Sequence, residues 1–340
     1  MKGKKTLWTL LSLILLLGVA SGCSSTSKAS AGNSEKSFEF IISSNQPNTH
    51  PTVMALKEFA KEIEEQSQGT MKAEVYSSGV LGSDRETLEL VQFGAIDMVS
   101  TGVSTIESYD KMYSLFSVPY LFNDKSHYYK MMDSEYMKEE IFPITAESGF
   151  VVKTWFDAGA RSFYTQDTPI SEPSDLKGLK MRTLASPTLM EMVSLMGGNP
   201  TPLDWGEVYG ALQQGVIDGL ENNELALTVN KHAEVAKEFS NTRHLFAPDV
   251  LIVNSQTLNK LTNNQKEILD NAFHELSINQ RELWADATEK AIREAKEQGV
   301  NFTEPNVQAF IDTVKPMHER VAKEYPEFIE TVTRLGEKNK

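Results

Sequence analysis

The sequence predicts an α/β fold in two domains. Three observations carry this: a strand–helix–strand alternation starting near residue 38, a second round starting near residue 150, and one long helical stripe late in the chain. About 300 residues beyond the N-terminal segment, in a chain that is 40% hydrophobic, can bury a large core, and that length favours two domains over one.

In the first round, Phe38 to Ser43 reads as a strand. Val53, Leu56, Phe59, Ala60 and Ile63 then recur at spacings of three and four, which puts them on one face of a helix. Lys72 to Tyr76 reads as a second strand, Ser83-Asp84-Arg85-Glu86 matches a capping box that opens a helix, and Ile96 to Ser100 reads as a third strand. Alternation of this kind implies parallel pairing in a sheet covered by helices.

In the second round, Val151 to Phe156 and Leu179 to Arg182 read as strands. Ser186-Pro187 supplies an N-cap and an N1 proline before Leu189, Met192, Val193 and Met196, and Gly197-Gly198 ends that helix. Asp204-Trp205-Gly206-Glu207 repeats the capping-box pattern before Val208, Ala211 and Leu212. Thr262-Asn263-Asn264-Gln265 opens the long stripe, through Ile268, Ala272, Phe273, Leu276, Leu283, Trp284, Ala287, Ala291 and Ala295 to Gly299, without a proline. At a rise of about 1.5 Å per residue such a helix is long enough to cross both domains.

The N-terminus reads as an export signal. Lys2, Lys4 and Lys5 precede an apolar run of about 14 residues, too short for a bilayer span of roughly 20. Ala20-Ser21-Gly22-Cys23 resembles a bacterial lipobox, with residues 1–22 as the signal and Cys23 as the lipidated residue. Diacylglycerol plus an N-acyl chain would supply the two anchoring signals that stable attachment requires. Residues 23–36, rich in Ser, read as a flexible tether. The expectation is a protein held on the outer side of a cell membrane, as in a Gram-positive bacterium.

Composition excludes several functions. Loss of residues 1–22 takes away three lysines and no acid, so the formal charge moves from −14 to −17. Nucleic acid needs a basic face and is a poor partner for so acidic a chain. Cys23 is the only cysteine, so no disulfide and no cysteine-based metal or redox site is expected. The six histidines include no pair at metal-ligand helical spacing, and no nucleophile elbow, P-loop or Rossmann glycine fingerprint occurs. Neither a metal nor a cofactor nor an enzyme activity is expected.

Three segments carry a resemblance. They are Gly79-Val80-Leu81-Gly82-Ser83-Asp84-Arg85, Asp175-Leu176-Lys177-Gly178-Leu179-Lys180-Met181-Arg182, and the run from Gly206 to Asn223 that ends Asp218-Gly219-Leu220-Glu221-Asn222-Asn223. Together they resemble the TRAP-type solute-binding family, the extracytoplasmic receptors of ion-gradient-driven transporters for organic acids, over Phe38 to about Pro316. The resemblance implies a two-domain periplasmic-binding-protein-like fold with a ligand cleft between the domains. Its parts would be 37–158 plus 248–288 in domain I and 159–247 plus 289–340 in domain II. The implied partners are a small-molecule carboxylate and the small and large membrane subunits of the transporter.

The resemblance also implies a site. Arg182 would grip the ligand carboxylate with two prongs, as a planar guanidinium can and a lysine cannot. Asn222 would hold the same carboxylate or a nearby hydroxyl, and Arg161 would be a second ligand arginine. Trp205 has two readings, aromatic wall or helix-start core residue. Asp84 likewise either reaches the cleft or stabilises a helix N-terminus. His50, in the first strand-to-helix loop, is a further candidate. Asp157, Arg161 and Tyr164, with Asn222-Asn223 and Pro248-Asp249-Val250, look most like the branch that binds hexuronates such as glucuronate and galacturonate. Hydroxyls would meet His50, Asp84, Asp157, Asn222 and Asp249, whose carboxylates would repel a second ligand carboxylate. A C4-dicarboxylate, sialic acid or another organic acid is the alternative within this class; a ligand-sensing lipoprotein or a secreted enzyme is the alternative outside it.

Overall fold

The computed structural model describes residues 36–337, so the expected signal, Cys23 and most of the tether lie outside the described residues. The first sheet takes β1 (Phe38–Ser44), β2 (Met71–Tyr76), β3 (Met98–Gly102) and β4 (Phe150–Phe156). The second takes β5 (Arg161–Thr165), β6 (Lys180–Thr183), β7 (Asn199–Pro202), β8 (Gly219–Asn222) and β9 (Glu238–Leu245). The chain then returns, adding β10 (Asp249–Asn254) to the first sheet and β11 (Asn301–Thr303) to the second. The strand orders are β2-β1-β3-β10-β4 and β11-β9-β5-β8-β6-β7.

The parallel pairing predicted for the first round holds between β1 and β2 and between β1 and β3. It does not extend across the sheet, because β10 runs antiparallel to both β3 and β4. The reason is connectivity: β10 enters directly from β9 of the other lobe rather than through a crossover helix. β10 lies between two neighbours, and Val250 to Val253 are buried throughout, as a run covered on both faces must be.

The capping signals were legible. Helices α1 (Pro51–Gln66), α2 (Asp84–Gln92), α3 (Lys125–Met132) and α4 (Pro187–Leu195) precede the long α5 (Asn263–Glu297). Ser83 and Glu86 close a reciprocal capping box on α2, as Thr262 and Gln265 do on α5. Helix α5 crosses both lobes as predicted. Leu269, Ala272, Phe273 and Leu276 pack with Phe40 and Phe59 under the first sheet, whereas Trp284 and Ala291 meet Leu225, and Ala295 meets Leu212 and Phe239, in the second lobe.

Two short segments, residues 157–160 and 246–248, carry the chain between the sheets. The last helices, α6 (Lys315–Glu324) and α7 (Pro326–Gly336), divide differently from the expected partition that put 289–340 with the second sheet. Met317 joins the second lobe's core beside Met192, but Val321, Phe328 and Val332 pack with Phe116 and Tyr128 in the first lobe.

Candidate functional site

Strand register brings the predicted residues to one edge. Ser162 pairs with Asn222, Arg182 pairs with Leu220, and Arg161 opens β5 opposite Leu245, so Arg161, Arg182 and Asn222 share an end of the second sheet. Asp249 pairs with Gly102, which sets it at the carboxyl end of β3 in the first sheet. These two edges face across a cleft that opens to solvent. Arg182, Trp205 and Asn222 line it from one side and Asp84, Ser100 and Asp249 from the other. Ligands of α/β sheets sit at such strand ends.

Arg182 is 1% exposed. Its Nε and Nη2 both donate to the Leu203 carbonyl, at 2.9 and 2.6 Å, and the guanidinium lies 5.4 Å from the Trp205 ring centre. Nη1 has no hydrogen-bond partner among the described residues. Burial lowers the Arg182 pKa to about 10, with nearby Glu221 acting in the opposite sense, so the side chain stays a cation at neutral pH. Trp205, half-buried, packs against the second lobe's core and also lines the cleft, with its ring beside the Arg182 guanidinium.

Arg161 is more occupied than expected of a ligand arginine. Nε and Nη2 grip the Glu221 carboxylate at 2.5 and 2.8 Å, Nη2 also donates to the Glu221 carbonyl, and Nη1 donates to Asn222 Oδ1 at 3.1 Å. One Nη1 proton is left. Burial alone would push the Glu221 carboxyl up, but Arg161 holds it down to about 2. The pair is therefore an ion pair, and its net charge in the cleft is close to zero. Asn222 Oδ1 accepts further from the backbone and side chain of Asn223, at 2.8 and 2.9 Å, and its Nδ2 donates to no group among the described residues.

The opposite wall is acidic. Asp84 stands at the first position of α2; its Oδ2 accepts from Asn45 at 2.7 Å and its Oδ1 is buried without a partner. Burial and neighbouring Asp249 raise its pKa to about 7. The Asp249 carboxyl is pushed up to about 6 by burial, with Arg161 acting against the shift. Asp84 thus stands both at a helix N-terminus and in the cleft lining.

Two candidates stand elsewhere. His50 caps α1, its Nδ1 accepting from Thr52 N at 3.3 Å, and its buried ring meets Trp284 edge-on at 5.5 Å, outside the cleft lining. Loop neighbours Asn45 and Gln46 line the cleft where His50 was expected. Asp157 is fully buried in the first crossing segment. Tyr129 and Lys125 engage its Oδ2 at 2.6 and 2.8 Å, and Gly159 N engages its Oδ1 at 2.9 Å, so it braces the crossing instead of facing a ligand. Gln280 of α5 completes that brace by bonding both the N–H and the carbonyl of Asp157. Sequence reasoning missed Asn45, Gln46 and Glu221. The first two follow β1 directly, and Glu221 adjoins Asn222, so position alone was the available signal.

The sequence pattern of the bacterial extracellular solute-binding proteins, family 7, matches residues 42–324. The chain belongs to this family. A family solute-binding protein of Chromohalobacter salexigens is 32% identical over 290 residues, covering 85% of this chain and 86% of its own. The structure of a TRAP periplasmic solute binding protein from Anaerococcus prevotii, with bound α/β-D-glucuronate, matches with a TM-score of 0.85 at 37% identity, covering 87% of this chain and 97% of its own. A second, from Xanthobacter autotrophicus with bound β-D-galacturonate, matches with a TM-score of 0.83 at 30% identity, covering 87% and 99%. Membership makes the chain an extracytoplasmic receptor of the TRAP type and not an enzyme. Among the described residues no helix is long and apolar enough to cross a membrane.

Proposed function

We propose that this receptor captures a hexuronate, D-glucuronate or D-galacturonate, between its lobes and delivers it to the small and large membrane subunits of a TRAP transporter. One observation carries the reading: Arg182, with Nη1 unbonded among the described residues, lines the cleft opposite two acids, Asp84, whose Oδ1 is buried without a partner, and Asp249. A ligand with one carboxylate and several hydroxyls satisfies both sides. Its carboxylate takes Arg182 and the Asn222 amide, and its hydroxyls donate to Asp84 and Asp249. A second carboxylate would meet two anions instead. The bound sugar acids of the two matching structures support the same class.

Capture follows from closure about residues 157–160 and 246–248. A ligand that bonds both walls binds the closed form better, and that differential affinity is what shifts the population. Cys23 would carry the lipid that holds the receptor beside its transporter, and the ion gradient acts in the membrane subunits. A thermal-shift screen of uronic, aldonic, sialic and C4-dicarboxylic acids tests the reading. D-glucuronate or D-galacturonate should give the largest stabilisation. No shift with any hexuronate would overturn it.

A further inference from the structure

The lobes also touch beside the cleft. Glu107 ends the short 3-10 turn Val103–Ile106 that follows β3, and it reaches the start of α4 in the other lobe. Its Oε2 accepts from the Ser186 hydroxyl and its Oε1 from the Thr188 hydroxyl, each at 2.5 Å. Ser186 is at the same time the N-cap of α4, its Oγ accepting from Leu189 N at 3.1 Å. The helix therefore fixes the lone pair of this hydroxyl and leaves its proton for Glu107. Hydroxyl-to-carboxylate bonds are charge-assisted, and the N-terminal end of α4 favours a negative charge.

Position makes this contact conditional. Gly102 to Ser104 and Arg182 to Leu184 are cleft segments, and Glu107 and Ser186 extend just beyond them. Glu107 and Thr188 line the space that continues from the cleft past Asp84, Ser104 and Leu184. Another cross-lobe side-chain contact at the cleft, from Asn230 to Gln46 at 3.3 Å, is neutral and longer. We propose that Glu107, docked on Ser186 and Thr188, is a closure latch that sets the rate at which bound solute is released. The proposal rests on the reading that the lobes close over a solute in this cleft. Ser186 was legible in sequence only as a helix cap; the latch appears once residues 79 positions apart meet.

Stopped-flow tryptophan fluorescence with D-glucuronate tests the latch, comparing the wild type with E107Q, T188V and the double variant, which keep the Ser186 cap. E107Q should dissociate roughly tenfold faster, as expected for the loss of charge-assisted bonds, with association unchanged because encounter precedes closure. T188V should have a smaller effect in the same direction, and the double variant should show less than the sum of the two. Ligand-free E107Q should unfold in one cooperative transition, as the wild type does. Unchanged dissociation, slower association alone, or strict additivity would overturn the latch while leaving the ligand reading intact. If D-glucuronate fails to bind the wild type, the ligand reading falls, and small-angle scattering of the ligand-free proteins decides the latch. A larger radius of gyration for E107Q supports it, and an unchanged one overturns it.

Discussion

The two walls of the cleft differ in how their charges are held. On the second lobe, Arg182 is tied to the Leu203 carbonyl and Arg161 to Glu221, so both cations are fixed in place without a ligand. On the first, Asp84 keeps one buried oxygen without a partner, and Asp249 lines the cleft with it. The cationic wall is preorganised and the acidic wall is unsatisfied. On the proposed reading, a carboxylate would meet a rigid anchor on one wall and the ligand's hydroxyls would complete acceptors on the other.

The sharpest way to break this comparison is to exchange the fates of the two arginines. Arg161→Ala should cost roughly 3–5 kcal/mol of folding stability, because it leaves Glu221 buried without its cation. Denaturant unfolding of the ligand-free protein measures it. Arg182→Ala should lower ligand affinity by roughly 2–5 kcal/mol by calorimetry, with a smaller effect on stability than Arg161→Ala. If Arg161→Ala folds as well as the wild type, or Arg182→Ala binds normally, the roles assigned to the two cations are wrong.

The acidic wall gives a pH test. The folded pKa of Asp84 is raised to about 7 against an ordinary value of 3.8, so the folded chain holds a proton that the unfolded chain releases. Its contribution to stability is therefore fully present below about 4 and lost as pH rises through 7. His50 and His232, both lowered to about 3 by burial, act oppositely, losing stability as pH falls below 6.5. The comparison of Asp84→Asn with the wild type isolates the first effect. The variant should gain stability relative to the wild type at pH 8 and show little or no gain at pH 4. An equal difference at both pH values would place the proton elsewhere.

The smallest expected effect concerns His50. As the N-cap of α1 it should cost about 1 kcal/mol of stability when changed to Ala, with solute affinity unchanged. A large affinity loss would return His50 to the cleft.

Local chemistry made much of this legible. Ser83, Ser186 and Thr262 announced their helices because caps are read from neighbouring residues, and the stripe from Ile268 to Ala295 fixed α5 by period alone. Arg182 was placed by its segment, Asp175 to Arg182, at a strand end. What stayed hidden depends on distant partners. Glu221 lies 60 residues from Arg161, and Asp157 looked like a ligand acid until Tyr129, 28 residues away, and Lys125 engaged its carboxylate. The antiparallel β10 likewise follows from where the chain re-enters the first lobe, which no window of sequence contains.

The most direct measurement of the central claim is calorimetric titration of the wild type with D-glucuronate and with succinate at pH 8, where both cleft acids are ionised. One cationic grip facing an acidic wall predicts saturable binding of the uronate and at least roughly a hundredfold weaker binding of the dicarboxylate, the equivalent of about 2.7 kcal/mol. Succinate binding as tightly as D-glucuronate would contradict it.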